Sequence, residues 1–442
     1  MDNTFDRKFT FFPLLKFAFP CILMQLYISI YSSVDGFFVS RYVGTTAFSG
    51  LNIAYPLINL GLGFAIMLAV GAGAYISKEM GEQKFDQARK DFSFLTILSF
   101  LCGVIFTILG LLFLNPILKG LGATDSLMPY AQIYARISLY FMPVFFVQVV
   151  MSTFFVAAGH PKLGLLATFT SGTANIILDY LFVYLFDMGI AGASLATGMA
   201  YCFPVLIGFI FFTFKRNGLL YFVKPAMNLP MILKSCLNGC SEMVTNISFS
   251  VTMTLFNIAF MKYYGEDGVA AIGIILYVQY AFVAIFFGYT IGVSPVLSYK
   301  YGANDKKQMH EIVMISIQFI ILFSIISFVA SLLSIKFILN AFAGNNLHVY
   351  EITMKGFYIF AIAFLFSGFG ICASAMFTSL SNGKVSAIIS FGRTFVFLAG
   401  SILLLPLLFN EMGLWWAVPV SEILGTLVSI FYFLRYKNRY GY

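Results

Sequence analysis

Residues 94–116 have the sequence FLTILSFLCGVIFTILGLLFLNP, which contains no charged side chain. A helix needs about 20 predominantly apolar residues to cross the hydrocarbon core of a bilayer, and this stretch is long enough. The rest of the chain is similar in composition, because 60% of its 442 residues are hydrophobic and only 10% are charged. Soluble domains carry roughly 25% charged residues. Most of this chain therefore cannot face water.

The same length criterion predicts twelve membrane spans, arranged as six spans, a polar break and six more. The apolar runs do not alternate as strands would, and backbone groups in lipid need internal partners, so the spans are predicted to be helices. In the first half they lie near residues 12–40, 52–77, 94–116, 129–157, 164–186 and 190–213. In the second half they lie near residues 233–261, 270–298, 312–340, 353–380, 384–409 and 413–434. We expect an N-terminal lobe of residues 1–214, a cytoplasmic linker of residues 215–230 and a C-terminal lobe of residues 231–442.

Basic residues are distributed unevenly between the two sides of the predicted membrane region. If the N-terminus is inside, seventeen bases fall in cytoplasmic segments and four in the opposite segments. By the positive-inside rule, both termini are then cytoplasmic. The net charge of +8 reflects this orientation, and we expect no nucleic-acid partner. The cytoplasmic bases are Arg7, Lys8, Lys78, Lys84, Arg89, Lys90, Lys162, Lys215, Arg216, Lys224, Lys300, Lys306, Lys307, Lys384, Arg435, Lys437 and Arg439, and the outer ones are Arg41, Lys119, Lys262 and Lys336.

The two halves of the chain resemble each other at a nearly constant shift. The matches at 221 residues include Gly44 with Gly265, Gly71 with Gly292 and Gly81 with Gly302, and Lys162 meets Lys384 at 222. Two apolar strings matching by composition alone are the alternative. Because each half has six spans, equivalent helices run in the same direction, and the repeat is parallel about an axis along the membrane normal. We therefore predict an all-α membrane protein with two pseudo-symmetric six-helix lobes around a central cleft.

Two acidic residues, Asp35 in the first span and Asp179 in the fifth, lie in the outer half of the predicted N-terminal lobe. Ionisable groups inside a bilayer are costly and mark functional sites. Asn175 precedes Asp179 by four residues and shares its helix face. Thr197 and Tyr201, also four residues apart, add polar groups from the sixth span. These oxygens are suited to hold H⁺ or Na⁺.

The alternative for these acids is a structural ion pair with Arg136, a base well inside the membrane region of the N-terminal lobe. In the C-terminal lobe, Arg393 and Glu422 are predicted to pair with each other. Glu242 has no evident partner, so we expect it to face a substrate cleft. Pro20 interrupts the hydrogen bonding of the first span and is a candidate hinge, a static kink being the alternative.

A larger set of features resembles the MATE (multidrug and toxic compound extrusion) family over essentially the whole chain. These features are the six-plus-six spans, Pro20 and Asp35 in the first span, Asn175 and Asp179 in the fifth, Gly189 to Ala193 before the sixth, and Gly413 to Ala417 before the twelfth. The sequence is similar to the prokaryotic branch with acids on helices one and five, where those acids form the cation-coupling site. The resemblance implies a secondary active antiporter that exports drug-like, often cationic small molecules by alternating access, driven by H⁺ or Na⁺ entry.

The resemblance also implies a set of site residues and a location. We expect cation coupling at Asp35, Asn175, Asp179 and Thr197, and a substrate cleft with Glu242, Asn246 and Tyr201. Glu242 resembles a helix-seven acid of other branches, which also carry an acid on helix ten; helix ten has none here. The protein is expected to be a multi-pass monomer in the bacterial cytoplasmic (inner) membrane. Its expected partners are cationic, amphipathic small molecules and the bilayer, with no cofactor and no metal beyond Na⁺ at Asp35 and Asp179.

The alternatives to export are a flippase and an enzyme. A flippase for lipid-linked oligosaccharides, from the same superfamily, would need several deep Arg or Lys residues for pyrophosphate, and only Arg136 and Arg393 lie deep. An enzyme is not expected, because the sequence has no His pair, metal-ligand spacing or nucleophile motif.

The distribution of bases predicts which loops face the cytoplasm. Single cysteines at Asn3, Tyr442 and Lys119 in a cysteine-free background would be treated from outside with an impermeant maleimide. We expect labelling at position 119 alone. Labelling at position 3 or 442, or none at 119, would reverse the orientation.

Overall fold

The computed structural model describes residues 4–343 and 346–442, and within these ranges the side chains at positions 32–37, 40, 45, 250 and 341–343 lie outside the description. Asn3 is therefore outside the described residues. Every regular element in the described ranges is helical. Eleven helical stretches there are long and apolar enough to cross a membrane. One of them, Leu229–Gly302, is interrupted at Gly265, whose φ of 69° and ψ of −155° are not helical. Division at this glycine gives the twelve predicted spans.

The spans of the N-terminal lobe are numbered α1 to α6. They are α1 (Phe11–Phe38, continued by the π-helical Val39–Val43), α2 (Thr45–Gly81), α3 (Phe85–Leu112), α4 (Met128–Ala157), α5 (Pro161–Asp179, continued by the π-helical Tyr180–Leu185) and α6 (Gly189–Ala200 and Cys202–Phe214). The C-terminal lobe has α7 (229–264), α8 (266–302), α9 (Lys306–Ala343), α10 (Leu347–Phe360, Ala361–Leu365 and Ser367–Ser379), α11 (Gly383–Phe391, Gly392–Phe397 and Leu398–Phe409) and α12 (Met412–Tyr440).

Most helix boundaries differ from the predicted ones by several residues. The helix α2 covers Thr45–Gly81 instead of 52–77, because Lys78 and Glu79 end the apolar run but are good helix formers. The third span was predicted to reach residue 116, but α3 ends at Leu112 and a short helix, Leu114–Gly120, follows. Pro116 explains this break, since a proline within a helix clashes with the carbonyl group four residues earlier, here that of Leu112.

The internal repeat is visible in the backbone as well as in the sequence. Residues with positive φ occur at matching positions in the two halves. These pairs are Gly44 and Gly265, Gln83 and Asn304, Gly159 and Ser381, and Asp187 and Asn410. Each pair lies in a turn between equivalent helices. Both halves therefore change direction through a residue of positive φ at the same position of the repeat. The parallel two-lobe repeat predicted from the sequence is thus confirmed in the turn geometry.

The two lobes meet through α1 and α2 on one side and α7 and α8 on the other, and the contacts of α2 include the end that carries the basic loops. A Cβ atom on Gly81 would lie 2.0 Å from the carbonyl oxygen of Tyr299, and one on Gly302 would lie 2.0 Å from that of Lys78. Gly81 and Gly302 are repeat mates, so this contact is pseudo-symmetric. Further along α2, a Cβ atom on Gly71 would lie 1.9 Å from the carbonyl oxygen of Ser235. The helix backbones therefore touch at positions where only glycine fits.

The linker between the lobes is hydrogen-bonded to the N-terminal end of α3. Asn228 donates to both carboxylate oxygens of the buried Asp91, at 2.9 and 3.2 Å, and Val223 N donates to Ser93 Oγ at 3.0 Å. The Arg89 side chain donates to the carbonyl of Leu219 at 3.2 Å. Residues 219–228 thus lie along the N-terminal lobe before α7 begins.

The glycine contact between the lobes predicts a difference between two alanine substitutions in α8. Gly302→Ala places a methyl group on a backbone atom and should destabilise the described packing by about 1–3 kcal/mol, as overpacking does. Gly273→Ala is the matched control, because a Cβ atom there meets no atom within 4 Å. Thermal unfolding of the purified protein, followed with a dye that reacts with the buried Cys21 and Cys372, should show a lower midpoint for Gly302→Ala alone. Equal midpoints for both variants would contradict the close backbone contact.

Candidate cation and substrate sites

One face of α5 carries the predicted cation-coupling residues. Asn175 and Asp179 are both buried, with 3% and 0% of their surfaces exposed. Asn175 Nδ2 donates to Thr197 Oγ1 of α6 at 3.3 Å. One turn earlier, Ser171 Oγ donates to the carbonyl of Ala200 at 2.8 Å. The structure therefore brings two of the four predicted coupling residues, Asn175 of α5 and Thr197 of α6, into contact, and Asp179 lies buried one turn beyond Asn175.

One acceptor group on this face, the side-chain oxygen of Asn175, is chemically informative. Asn175 Oδ1 is buried and accepts no hydrogen bond from any residue that the structure describes. A buried carbonyl oxygen without a donor is unfavourable unless a ligand or water completes it. Beside a buried carboxylate, such an oxygen is suited to bind a cation.

The helix α1 packs on α5 close to this face. A Cβ atom on Gly172 would lie 2.5 Å from the ring of Tyr27, whose hydroxyl is 3.0 Å from Thr173 Oγ1. Asp35 is eight residues beyond Tyr27, and Asp179 is seven residues beyond Gly172. Both helices run in the same direction, so these steps correspond to rises of about 12 and 10 Å. The two acids are therefore expected at a similar height, although the side chain of Asp35 lies outside the described residues.

Arg136, the alternative partner for these acids, is exposed on α4. Pro20 is buried within the unbroken α1, and its hinge role stays a prediction. Tyr201 lies at the break within α6, where its ring is 4.7 Å from that of Phe145. Its position in a substrate cleft also stays a prediction.

The C-terminal lobe contains the predicted ion pair between α11 and α12. Arg393 Nη1 lies 3.1 and 3.3 Å from the two carboxylate oxygens of Glu422, and both residues are buried. Arg393 belongs to a π-helical turn, and its side chain passes beside Gly370 and Gly425. A Cβ atom at these glycines would lie 2.6 and 2.9 Å from the Arg393 side chain. The glycines of α10 and α12 therefore make the space that this deep arginine needs.

Glu242 lies on α7 and is half-buried. Among the described residues it forms no salt bridge, while the charge of Arg393 acts on it through space. The flanking amides are committed elsewhere, since Asn246 donates to the backbone carbonyl of Glu242 at 2.9 Å and Asn238 donates to that of Thr378 at 2.8 Å. The carboxylate of Glu242 and the side-chain oxygen of Asn238, which accepts no hydrogen bond from the described residues, are thus the candidate ligand groups of this region.

Two buried acids at the adjoining ends of α2 and α3 were not predicted from the sequence. Asp91 is fully buried and Glu79 is 8% exposed. Asp91 accepts from Gln87 at 2.8 Å in addition to Asn228. The available signal was a pair of acids within a strongly basic segment, but their burial depends on the linker folding back onto α3. Sequence periodicity does not show that contact.

Comparison with known proteins agrees with this architecture. The sequence model of the MatE family matches residues 20–181 and again residues 242–401, at the spacing of the internal repeat. The multidrug export protein MepA of Staphylococcus haemolyticus (strain JCSC1435) is 22% identical over 442 residues, with 98% of this chain and 96% of that protein covered. The MepA protein of Staphylococcus aureus (strain bovine RF122 / ET3-1) is 23% identical over 446 residues, with 98% and 95% covered.

Solved structures share the fold. An outward-facing conformation of a multidrug resistance MATE family transporter of the MOP superfamily superimposes with a TM-score of 0.91 at 20% identity, covering 97% of this chain and 96% of that one. The crystal structure of MATE in complex with MaL6 gives a TM-score of 0.92 at 19% identity, covering 98% and 97%. Because the family match extends over most of both halves, this chain belongs to the MatE family of membrane transporters.

Proposed function

We propose that this protein is a secondary active exporter, in which H⁺ or Na⁺ entry through the N-terminal lobe drives the export of drug-like, often cationic, small molecules. The observation that carries the proposal is the fully buried Asp179 beside Asn175, whose carbonyl oxygen has no donor among the described residues. A buried carboxylate is stabilised by a proton or a cation, so occupancy of this site changes the energy of the lobe. The multidrug export activity named for the MepA relatives supports drug-like substrates.

The two-lobe repeat supports alternating access as the transport mechanism. The lobes are in backbone contact at the end with the basic loops, where Gly81 and Gly302 meet α8 and α2. A rocking motion of one lobe against the other would separate this contact and expose the cleft to that side. One chain supplies both lobes, so the proposed transport unit is a monomer, with both termini in the cytoplasm of the bacterial cell.

A lipid-linked oligosaccharide flippase fits the charges less well. Pyrophosphate recognition needs free basic groups, preferably arginine. Of the two deep arginines predicted, Arg393 is buried and paired with Glu422, which leaves the exposed Arg136 of α4 where several free bases would be needed. Small-molecule export is therefore the proposed function, and enzymatic chemistry is not proposed.

The coupling site predicts the behaviour of the isosteric variants Asp35→Asn and Asp179→Asn. Each removes a charge but keeps the shape, so each should abolish gradient-driven export while leaving folded protein in the membrane. The measurement is substrate transport in proteoliposomes with the H⁺ and Na⁺ gradients imposed separately, which also identifies the ion. Asp187→Asn is a matched control, because Asp187 is exposed in the turn after α5. Full transport by both variants would return these acids to a structural role.

The C-terminal lobe predicts a narrower defect for Glu242→Gln. A single carboxylate beside apolar surface attracts a bulky organic cation, whereas Na⁺ needs several oxygen ligands. Resistance to cationic drugs should therefore fall, while export of neutral substrates largely persists. Minimum inhibitory concentrations in a pump-deficient host would be compared with those of Glu266→Gln, an exposed control in the turn between α7 and α8, and of Asp179→Asn, which should fail for all substrates. Loss of every substrate in Glu242→Gln would instead place Glu242 in the coupling machinery.

A further inference from the structure

The chain before α1 is packed into the protein instead of extending into solvent. We call residues 4–10 the N-terminal strap. Phe5 and Phe9 of this strap are fully buried, whereas Asp6, Arg7 and Lys8 between them are exposed. The strap therefore places two aromatic rings into the protein at the cytoplasmic end of the molecule.

The strap continues into α1 of the N-terminal lobe, yet its polar contacts are with the C-terminal lobe. The hydroxyl of Tyr299 in α8 donates to Asp6 Oδ1 at 2.7 Å. The backbone N–H of Phe9 donates to Gln308 Oε1 of α9 at 2.7 Å. The ring of Phe5 lies 5.4 Å from the ring of Tyr299. Three independent contacts thus join the two lobes through this segment.

The strap also rests on its own lobe, so it bridges the two. Phe5 packs edge-on against Phe17 of α1 at 5.9 Å. A Cβ atom on Gly159, in the turn between α4 and α5, would lie 3.2 Å from Thr4. Gln83, in the turn after α2, donates to the same Tyr299 hydroxyl at 3.3 Å. Tyr299 is also the residue whose carbonyl faces Gly81, so the strap covers the contact between the lobes.

We propose that the N-terminal strap is a reversible latch that stabilises the conformation closed at the cytoplasmic end. Its contacts with Tyr299 and Gln308 require the inner ends of the lobes to be together, and separating the lobes breaks them. The hydrogen bonds involve an exposed carboxylate and neutral groups, so water can replace them when the lobes part. The latch rests on the alternating access proposed above.

The test measures the distance between the lobes directly. Spin labels would be placed at Lys162→Cys and Lys384→Cys, exposed repeat mates at the cytoplasmic ends of α5 and α11, in a background without native cysteines. Double electron–electron resonance would then give the distance distribution in lipid, without substrate. The latch variants are Tyr299→Phe, which loses only the hydroxyl, Asp6→Ala and Phe9→Ala. The matched controls are Lys8→Ala, exposed on the same strap, and Phe12→Ala, whose side chain is 79% exposed.

We expect Tyr299→Phe and Asp6→Ala to increase the population with the longer distance by about three- to tenfold, since one hydrogen bond contributes a small factor to an equilibrium. Phe9→Ala keeps its backbone hydrogen bond but loses a buried ring, and it should increase the same population by at least as much. The controls should match the unsubstituted protein. If the unsubstituted protein shows two distances but Tyr299→Phe and Asp6→Ala leave their ratio unchanged, the latch is wrong and alternating access stands. If one distance persists at every pH, Na⁺ concentration and substrate concentration, alternating access itself is wrong.

Discussion

A bilayer gives two apolar helices no hydrophobic reason to associate, because lipid tails are as apolar as the side chains that they would replace. Association then depends on close packing and on interhelical hydrogen bonds, for which small residues are favoured. In this protein the contact between the lobes follows that rule at Gly71, Gly81 and Gly302, where backbone meets backbone. The position of one lobe against the other, and hence of every group lining the cleft, depends on these glycines.

The same low-dielectric surroundings make charged side chains costly to bury, and those of this protein lie in three different environments. Arg393 and Glu422 neutralise each other in a buried pair, which fixes α11 against α12 but leaves neither group for a ligand. Asp179 is buried one turn beyond Asn175, whose amide donates to the Thr197 hydroxyl, an arrangement suited to a small cation. Glu242 is half-buried, which suits a larger organic cation. Burial thus distinguishes three environments that residue type alone leaves open, and the coupling and substrate roles proposed above rest on that difference.

The spans and the repeat could be predicted from the sequence because length and apolar composition are strong, local signals. The helix boundaries were less accurate, since α2 continues through Lys78 while α3 ends early at the residue four before Pro116. At the candidate site, the i, i+4 spacing of Asn175 and Asp179 was predictable from helix geometry. Their contact with Thr197 of α6 depends on how two helices pack, which periodicity does not specify.

The least predictable feature is the folding of the polar segments onto the helix ends. The linker fastens to α3 through Asn228 and Asp91, and the strap to α8 and α9 through Asp6 and Phe9. These bonds join residues far apart in sequence, and nothing local in composition indicates them. The hydrogen bonds of these segments also distinguish them from the glycine contacts, because water can replace such bonds when a segment moves away from the helix ends.

This difference bears on how transport is driven. A ligand shifts a conformational equilibrium only by its differential affinity, and a change from 1:99 to 99:1 needs about 5.5 kcal/mol. An interface held mainly by buried ion pairs would demand much more, since leaving one buried charge unpaired costs several kcal/mol. The contact between the lobes is instead made of glycine packing and a few hydrogen bonds of about 1 kcal/mol each. In the proposed mechanism, neutralising one buried carboxylate such as Asp179 would have an effect of the required size, so the coupling proposed above needs no more than one cation in the N-terminal lobe.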